Sequence, residues 1–441
     1  MIAWAIYALA TPDAIYLPSL DNIGLLFIIL ILSSLVRNSY ARYTFLVWGI
    51  WFVLGSISLF AQNHLNRGLN YNVDPSLGNR LYLLCAIASI LGALAVQAAA
   101  SSLRNLQRPA TPTRGKNQIV WIALLAFPVL YALSVVASTG DIPLFSGRDV
   151  SAAMYDVDYG PLHDFSIFNV VAIIMLWMKI NDNNSRASRM PVKLFLLVML
   201  GLFLIMAALD GRRAMSIFAL TGMLLYYIAL PSSIMRWVSV FLIGIAGLFA
   251  YVSAAAIRSG QELSAGFDNI YAPLATVGTE YRDFIYGFST FTRSKVLSTG
   301  YDWAGSTGAV LTPSFLGNAF GINKNALIMH DSARSLMPLW NVQLGIRIGL
   351  PGELWFAYGW FAVAEYFAFG VMIMLLASWA GRSQHFAYKA ILLTLLAVFT
   401  LSMQGQSTVT FGFVLPLLYL AATIALIEFS SRMFLANAFN R

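Results

Sequence analysis

The sequence predicts an all-α, polytopic integral membrane protein. It reads as a single domain over residues 1–441, a bundle of about eleven transmembrane helices (ten to fourteen), with one long outer loop holding short interfacial helices. Three observations predict this class. The chain is 59% hydrophobic and only 10% charged, with a mean hydropathy of +0.73, far from the balance of soluble globular domains. Apolar runs of roughly 17 to 25 residues, the length that crosses about 30 Å of hydrocarbon as helix, recur along the whole chain. Stretches such as "LLFIILILSSLV" do not alternate, as the short strands of a transmembrane barrel would.

The opening "MIAWAIYALA" is apolar but short and lacks the basic start and cleavage pattern of a secretory signal, so it reads as an interfacial segment. Spans follow near 20–36, 43–61, 80–101, 118–138, 165–180, 194–210, 214–231, 237–257, 352–377, 388–403 and 412–428. The one cysteine, Cys85, falls inside the third and reads as an inert buried thiol.

Charge orients the bundle. Arg37 and Arg42, then Arg104, Arg108, Arg114 and Lys116, then Lys179, Arg186, Arg189 and Lys193 gather in alternate short loops. Arg236, Arg382, Lys389, Arg432 and Arg441 continue the same set, which the positive-inside rule places in the cytoplasm. The opposite loops carry Asp74, Asp141, Asp149, Asp156, Asp158 and Asp164, so the N-terminus is expected outside and the C-terminus inside.

On that assignment "ALDGRRAMSI" (208–217) sets Arg212 and Arg213 on the disfavoured outer side, between two spans. Snorkelling toward lipid phosphates is the bland account of such a pair. Arg258 in "AAAIRSG", Arg282 in "TEYRDF" and Arg347 in "GIRIGLPGE" mark the same face. Arginine stays protonated and binds oxyanions bidentately, so a phosphate or pyrophosphate at the outer boundary is the natural ligand. The segment 258–351 is far longer than any other loop, and loops of that length are usually functional. Its pieces "APLATVG", "GAVLTPSFLG" and "NAFGIN" are too short to span and too apolar to float, and Tyr271, Tyr281, Tyr286, Tyr301, Trp303 and Trp340 suit either an interfacial belt or sugar stacking.

In order along positions 140–375, "GDIPLFSGRD", "DGRRAMSI", "AAIRSG", "YRDF", "LTPSFLG" and "GLPGELWFAYGW" resemble the landmarks of Wzy-type bacterial oligosaccharide repeat-unit polymerases, which build O-antigen, common antigen and capsule. The doubled arginine departs from the family pattern and leaves Arg212 and Arg213 both open as the matching residue. The resemblance implies a glycosyltransferase at the periplasmic face of the inner membrane, working without nucleotide sugar, cofactor or obligatory metal. Donor and acceptor are then undecaprenyl-pyrophosphate-linked oligosaccharides, with a chain-length regulator and a flippase of the same pathway as partners, and no nucleic acid. Arg212, Arg213, Arg258, Arg282 and Arg347 would hold the pyrophosphate, where clustered positive charge stabilises the leaving group.

A general base must lie within hydrogen-bond reach of the acceptor hydroxyl, and Glu353 in "PGELW", Glu280 and His330 are the candidates. For Glu353 the plain alternative is an acid favoured by its own helix N-terminus. Glu365, deeper in the same predicted span, reads as a marker of the inner end of a lipid or acceptor groove. Asp156 and Asp158 in "MYDVDYG" have a spacing that holds Mg²⁺ in other glycosyltransferases, but such pairs are common and no metal is expected. An O-antigen ligase is the nearest rival enzyme. A lipid-linked oligosaccharide flippase is the non-enzymatic one, although it should show repeat-like halves that this sequence lacks.

Overall fold

The computed structural model describes residues 20–64, 75–102, 118–140, 162–181, 190–208, 213–230, 271–277, 279–340, 348–383, 385–403 and 405–439, with positions 238, 245 and 253. These residues are mostly helical, with no strand among them. The long helices come first: α1 (Leu20–Leu35), α2 (Ser39–His64), α3 (Ser76–Ser102), α4 (Gln118–Thr139), α5 (Ile167–Ile180), α6 (Met190–Ala208) and α7 (Arg213–Ile228). Short helices follow: α8 (Tyr271–Val277), α9 (Thr279–Thr290), α10 (Arg293–Leu297), α11 (Trp303–Leu311), α12 (Ser314–Ala319), α13 (Lys324–Ile328), α14 (Ser332–Ser335) and α15 (Met337–Trp340). The chain closes with α16 (Gly349–Tyr358), α17 (Phe361–Arg382), α18 (Phe386–Leu401), α19 (Ser407–Gly412) and α20 (Val414–Phe439).

Six helical stretches are long and apolar enough to cross a membrane: Ser39–Gln62, Ser76–Ala100, Val120–Thr139, His163–Ile180, Phe361–Arg382 and Ser407–Ile427. Four shorter apolar helices, Asp21–Leu35, Pro191–Met206, Ala214–Ile228 and Phe386–Leu401, occupy four more of the predicted spans. The predicted span at 237–257 lies outside the described residues except for three positions, as does the opening segment. The chain is a helical membrane protein.

One boundary changes. The span expected at 352–377 is two helices, because Gly359, at φ 65°, ends α16 in a conformation that only glycine adopts freely. Arg293 seals that end: its Nε donates to the Phe356 carbonyl at 3.0 Å and its Nη2 to the Ala357 carbonyl. The span itself is α17.

Packing follows from small residues and from one nearly all-apolar helix. Helices α3 and α17 meet closely: a Cβ on Gly370 would overlap the Ser89 carbonyl, one on Gly92 the Phe367 carbonyl, and Ser89 Oγ donates to the Tyr366 carbonyl at 2.7 Å. Small residues let helix backbones approach this way where lipid removes the hydrophobic incentive to pack. Helix α5 is apolar on nearly every side, and all its residues except Phe168, Trp177 and Lys179 are buried, which makes it the centre of the bundle. It packs against α4, α6, α7 and α18.

The short helices gather at one end, called upper here, where α2 closes and α3 opens. At that end Gln62 Nε2 and Ser58 Oγ donate to the Ala275 carbonyl at 2.7 and 3.1 Å, and Tyr281 Oη donates to Asn79 Oδ1. Tyr281 fills the space left by Gly55, and Ile285 that left by Gly78. The upper end therefore has a second apolar cluster of its own, formed by Tyr286, Phe291, Val296, Tyr301, Leu336, Ile348 and Phe356.

Candidate functional site

The described chemistry concentrates where α11, α14, α16 and α19 converge at the upper end. Glu353, 1% exposed in the middle of α16, is its hub. Ser332 Oγ, at the start of α14, donates to Glu353 Oε1, and the backbone N–H of Ser407, which opens α19, donates to Oε2 at 2.7 Å. The Tyr301 hydroxyl donates to the Glu353 carbonyl at 3.0 Å, and Thr307 Oγ1 on α11 donates to Ser407 Oγ at 3.1 Å. Asp331 stands beside this group. Its Oδ1 caps α14 by accepting from Arg334 N at 3.0 Å, and its Oδ2 accepts from Thr408 Oγ1 at 3.4 Å.

Local sequence explains the parts. Asp331 and Asp302 are N-cap residues with extended backbone, each accepting the N–H three residues on. The first N–H groups of α19 have no partner inside the helix, and Glu353 supplies one from another element. Electrostatically the pair is strained. Burial pushes the Glu353 carboxyl up to about 7, the bonds from Ser332 and Ser407 hold it back, and the Asp331 charge adds to the rise. Burial also raises Asp331, against the pull of Arg334 and Thr408, and burial beside both carboxylates raises the Tyr301 phenol.

This geometry corrects one expectation. Glu353 is not the acid of its own helix N-terminus, nor does it present an oxygen to the surface: both are engaged and the side chain is enclosed. Through these bonds it links α16 to the starts of α14 and α19. His330 is exposed, in the turn that leads to α14, with its ring against Gly300 and its carbonyl accepting from Asp302 N at 3.0 Å. Glu280 lies half-buried in the first turn of α9. Thus Asp331, next in sequence to His330, joins Glu353, and His330 itself does not.

Of the arginines, Arg282 is 26% exposed on α9, with Nε and Nη2 both on Asp283 Oδ1 at 3.0 and 2.8 Å. Arg213 opens α7, though its side chain is outside the described residues. Arg212, Arg258 and Arg347 lie outside the described residues, as do Asp156 and Asp158. Among the described residues no group of His, Cys, Asp or Glu has the grouping of a metal site.

An aromatic wall stands beside the hub. Trp303 meets Tyr358 edge-on at 5.7 Å and Phe411 at 6.4 Å, and Phe288 meets Trp355 at 4.3 Å. Glu365 on α17 is half-buried and lies near Tyr358. Sequence reasoning passed over Ser332, Ser407, Thr408 and Thr307, because hydroxyl residues carry no pattern until tertiary contacts aim them. The N-cap signature of Asp331 in "HDSARS" was the one local signal available. Compared with family models, curated proteins and solved structures, the chain has no match.

Proposed function

We propose that this protein is a membrane glycosyltransferase that polymerises oligosaccharide repeat units carried on undecaprenyl pyrophosphate, at the periplasmic face of the bacterial inner membrane. What carries the proposal is the charge pattern of the sequence: Arg212, Arg213, Arg258, Arg282 and Arg347 fall at separate positions that the positive-inside bias assigns to the outer side, around a long segment too apolar to be a tether. The built upper end supports it, since a buried carboxylate network holds short helices and an aromatic wall in fixed relation. Such preorganisation is what a transfer between two bound glycans needs.

In the reaction the acceptor hydroxyl oxygen bonds to the donor's anomeric carbon, and the bond from that carbon to the pyrophosphate oxygen breaks. Undecaprenyl pyrophosphate leaves with the electron pair, its charge met by the arginines. The hydroxyl proton passes to a base at the upper mouth, for which exposed His330 is our candidate, with Glu280 second. Trp303 and Tyr358 offer ring faces and edges to sugar.

The test is direct. Purified protein is incubated with a lipid-pyrophosphate-linked repeat unit in EDTA, without nucleotide sugar, and the products are separated by size. A ladder of lipid-linked multimers is expected. Unchanged substrate under conditions where the protein is folded and the lipid accessible would remove the polymerase reading, and transfer only to a lipid A core would replace it with that of a ligase.

A further inference from the structure

The lower end, where α2 opens and α17 closes, carries only positive charge among the described side chains. Arg37, Arg42, Lys179, Arg382 and Lys389 stand there. Every acid whose side chain is described lies in the upper half, from Asp21, next to the Asn22 that bonds Ser76, to Glu365 in the second turn of α17.

The positive-inside rule accounts for basic residues near helix ends, and such side chains ordinarily reach outward to water. Two of these lysines fold back instead. Lys389 Nζ lies 5.6 Å from the centre of the Tyr226 ring on α7, and Lys179 Nζ, in the last turn of α5, lies 5.9 Å from that of Phe386. Both lysines are half-buried. Phe386 and Lys389 are three residues apart at the start of α18, so they share one side of it. Helices α5 and α7 both pack against α18. The fold thus brings ammonium groups from two helices to one helix start, where the dipole adds further positive charge. A ring face steadies an ammonium without using up its N–H donors, so the cluster keeps its capacity to bind an anion.

The surroundings favour a lipid as the source of that anion. Phe386 also meets Trp121, at the start of α4, at 5.8 Å, and both rings are half-buried. Ile122, beside Trp121, is 69% exposed. A free phosphate would use the ammonium groups and leave this apolar surface uncovered, whereas a phospholipid uses both.

We propose that Lys179 and Lys389 hold the headgroup phosphate of an anionic phospholipid at the lower membrane boundary, with its acyl chains against Trp121, Ile122 and Phe386. Lys389 Nζ donates to a phosphate oxygen, and Lys179 supplies the second positive charge. Basic clefts between the ends of membrane helices bind anionic headgroups in this way. No step of the proposed transfer reaction uses this site, so the two readings stand or fall separately.

Charge removal and choice of lipid test it together. Full-length protein, stripped of lipid in a neutral detergent, is compared with Lys179→Gln, Lys389→Gln, the double variant and Lys389→Arg by thermal melting. Phosphatidylglycerol, phosphatidylcholine or inorganic phosphate is added. Lys295→Gln is the control, because Lys295 also stands over a ring, that of Phe291 at 5.5 Å, but at the upper end. Wild type and control should shift upward with phosphatidylglycerol and little with the other two. Each single glutamine variant should bind phosphatidylglycerol roughly fivefold more weakly and the double variant roughly twenty-five-fold, while Lys389→Arg keeps the shift. A full shift in the double variant, or an equal wild-type shift with phosphatidylcholine or with phosphate, would overturn the site. If the glutamine variants fail to fold, native mass spectrometry of the wild type decides. It should retain phosphatidylglycerol over phosphatidylcholine by roughly tenfold or more, and equal retention overturns the site. A polymer ladder without a selective shift sinks this site alone, and a selective shift without a ladder sinks only the polymerase reading.

Discussion

At the scale of single residues, Glu353 decides the most. Removing its carboxylate orphans the Ser332 hydroxyl and the Ser407 amide in a closed site, so Glu353→Ala should cost about 2–4 kcal/mol in denaturant or thermal unfolding. Glu353→Gln keeps the shape and one acceptor and should cost about half of that. As a positioning group, its glutamine variant should retain more than about a tenth of the polymerising rate. A base in its place would lose about 10²- to 10⁴-fold, which single-turnover measurement distinguishes. The pH dependence has a definite sign. A carboxyl raised to about 7 in the folded state, from 4.5 when unfolded, binds more protons when folded. Its stabilising contribution is full below pH 4.5 and is lost as pH rises through about 7. Melting temperatures of the wild type should therefore fall relative to Glu353→Gln across that window, with Asp331, also raised, adding a fall common to both. The arginines carry the complementary prediction: Arg213→Ala, Arg258→Ala and Arg282→Ala should each abolish polymer above one repeat while the protein inserts and folds normally. Wild-type chain lengths in all three would withdraw the pyrophosphate assignment.

At the scale of elements, the seam between α3 and α17 is the most exacting, because backbone meets backbone. A side chain at Gly370 has no free space beside the Ser89 carbonyl, and no flexible group there can give way. Gly370→Val should therefore destabilise by about 1–3 kcal/mol, read as a lower melting temperature in detergent. Gly201→Ala, on α6 with open space around its Cα, serves as the neutral control. The break at Gly359 belongs to this scale too. Apolar periodicity runs smoothly through "ELWFAYGWFAVAEY", so the sequence reads one span there. The positive φ of Gly359 and the Arg293 cap at the end of α16 make it two, and the Glu353 helix becomes free to turn toward α14 and α19.

At the scale of the molecule, the proposed function depends on sidedness, with the upper end facing the periplasm. The lone cysteine makes it measurable. Cys85 is fully buried, so a Cys85→Ala background removes residual labelling at small cost. Ser298→Cys, exposed among the upper helices, should react with a membrane-impermeant maleimide added from the periplasmic side. Arg382→Cys, exposed at the opposite end of α17, should react only after permeabilisation. The reverse pattern would invert the bundle and place the arginines in the cytoplasm, where they would need no special account.

The sequence by itself determined the class and much of the span placement, because the free energy of burying a 20-residue helix in hydrocarbon depends on composition and length, which are local quantities. It also marked Asp210–Arg213 as a charged turn between apolar helices, since charge at such a place is legible without neighbours. It did not determine what Glu353 does. An acid near a helix start looks the same whether it faces solvent, its own N-terminus or another element, and only tertiary packing enclosed it between Ser332 and Ser407. Nor did Lys179 and Lys389 stand out in the sequence, for lysines beside a span are ordinary. Convergence on one helix start, each over a ring from another helix, is what sets them apart, and convergence is a property of the fold.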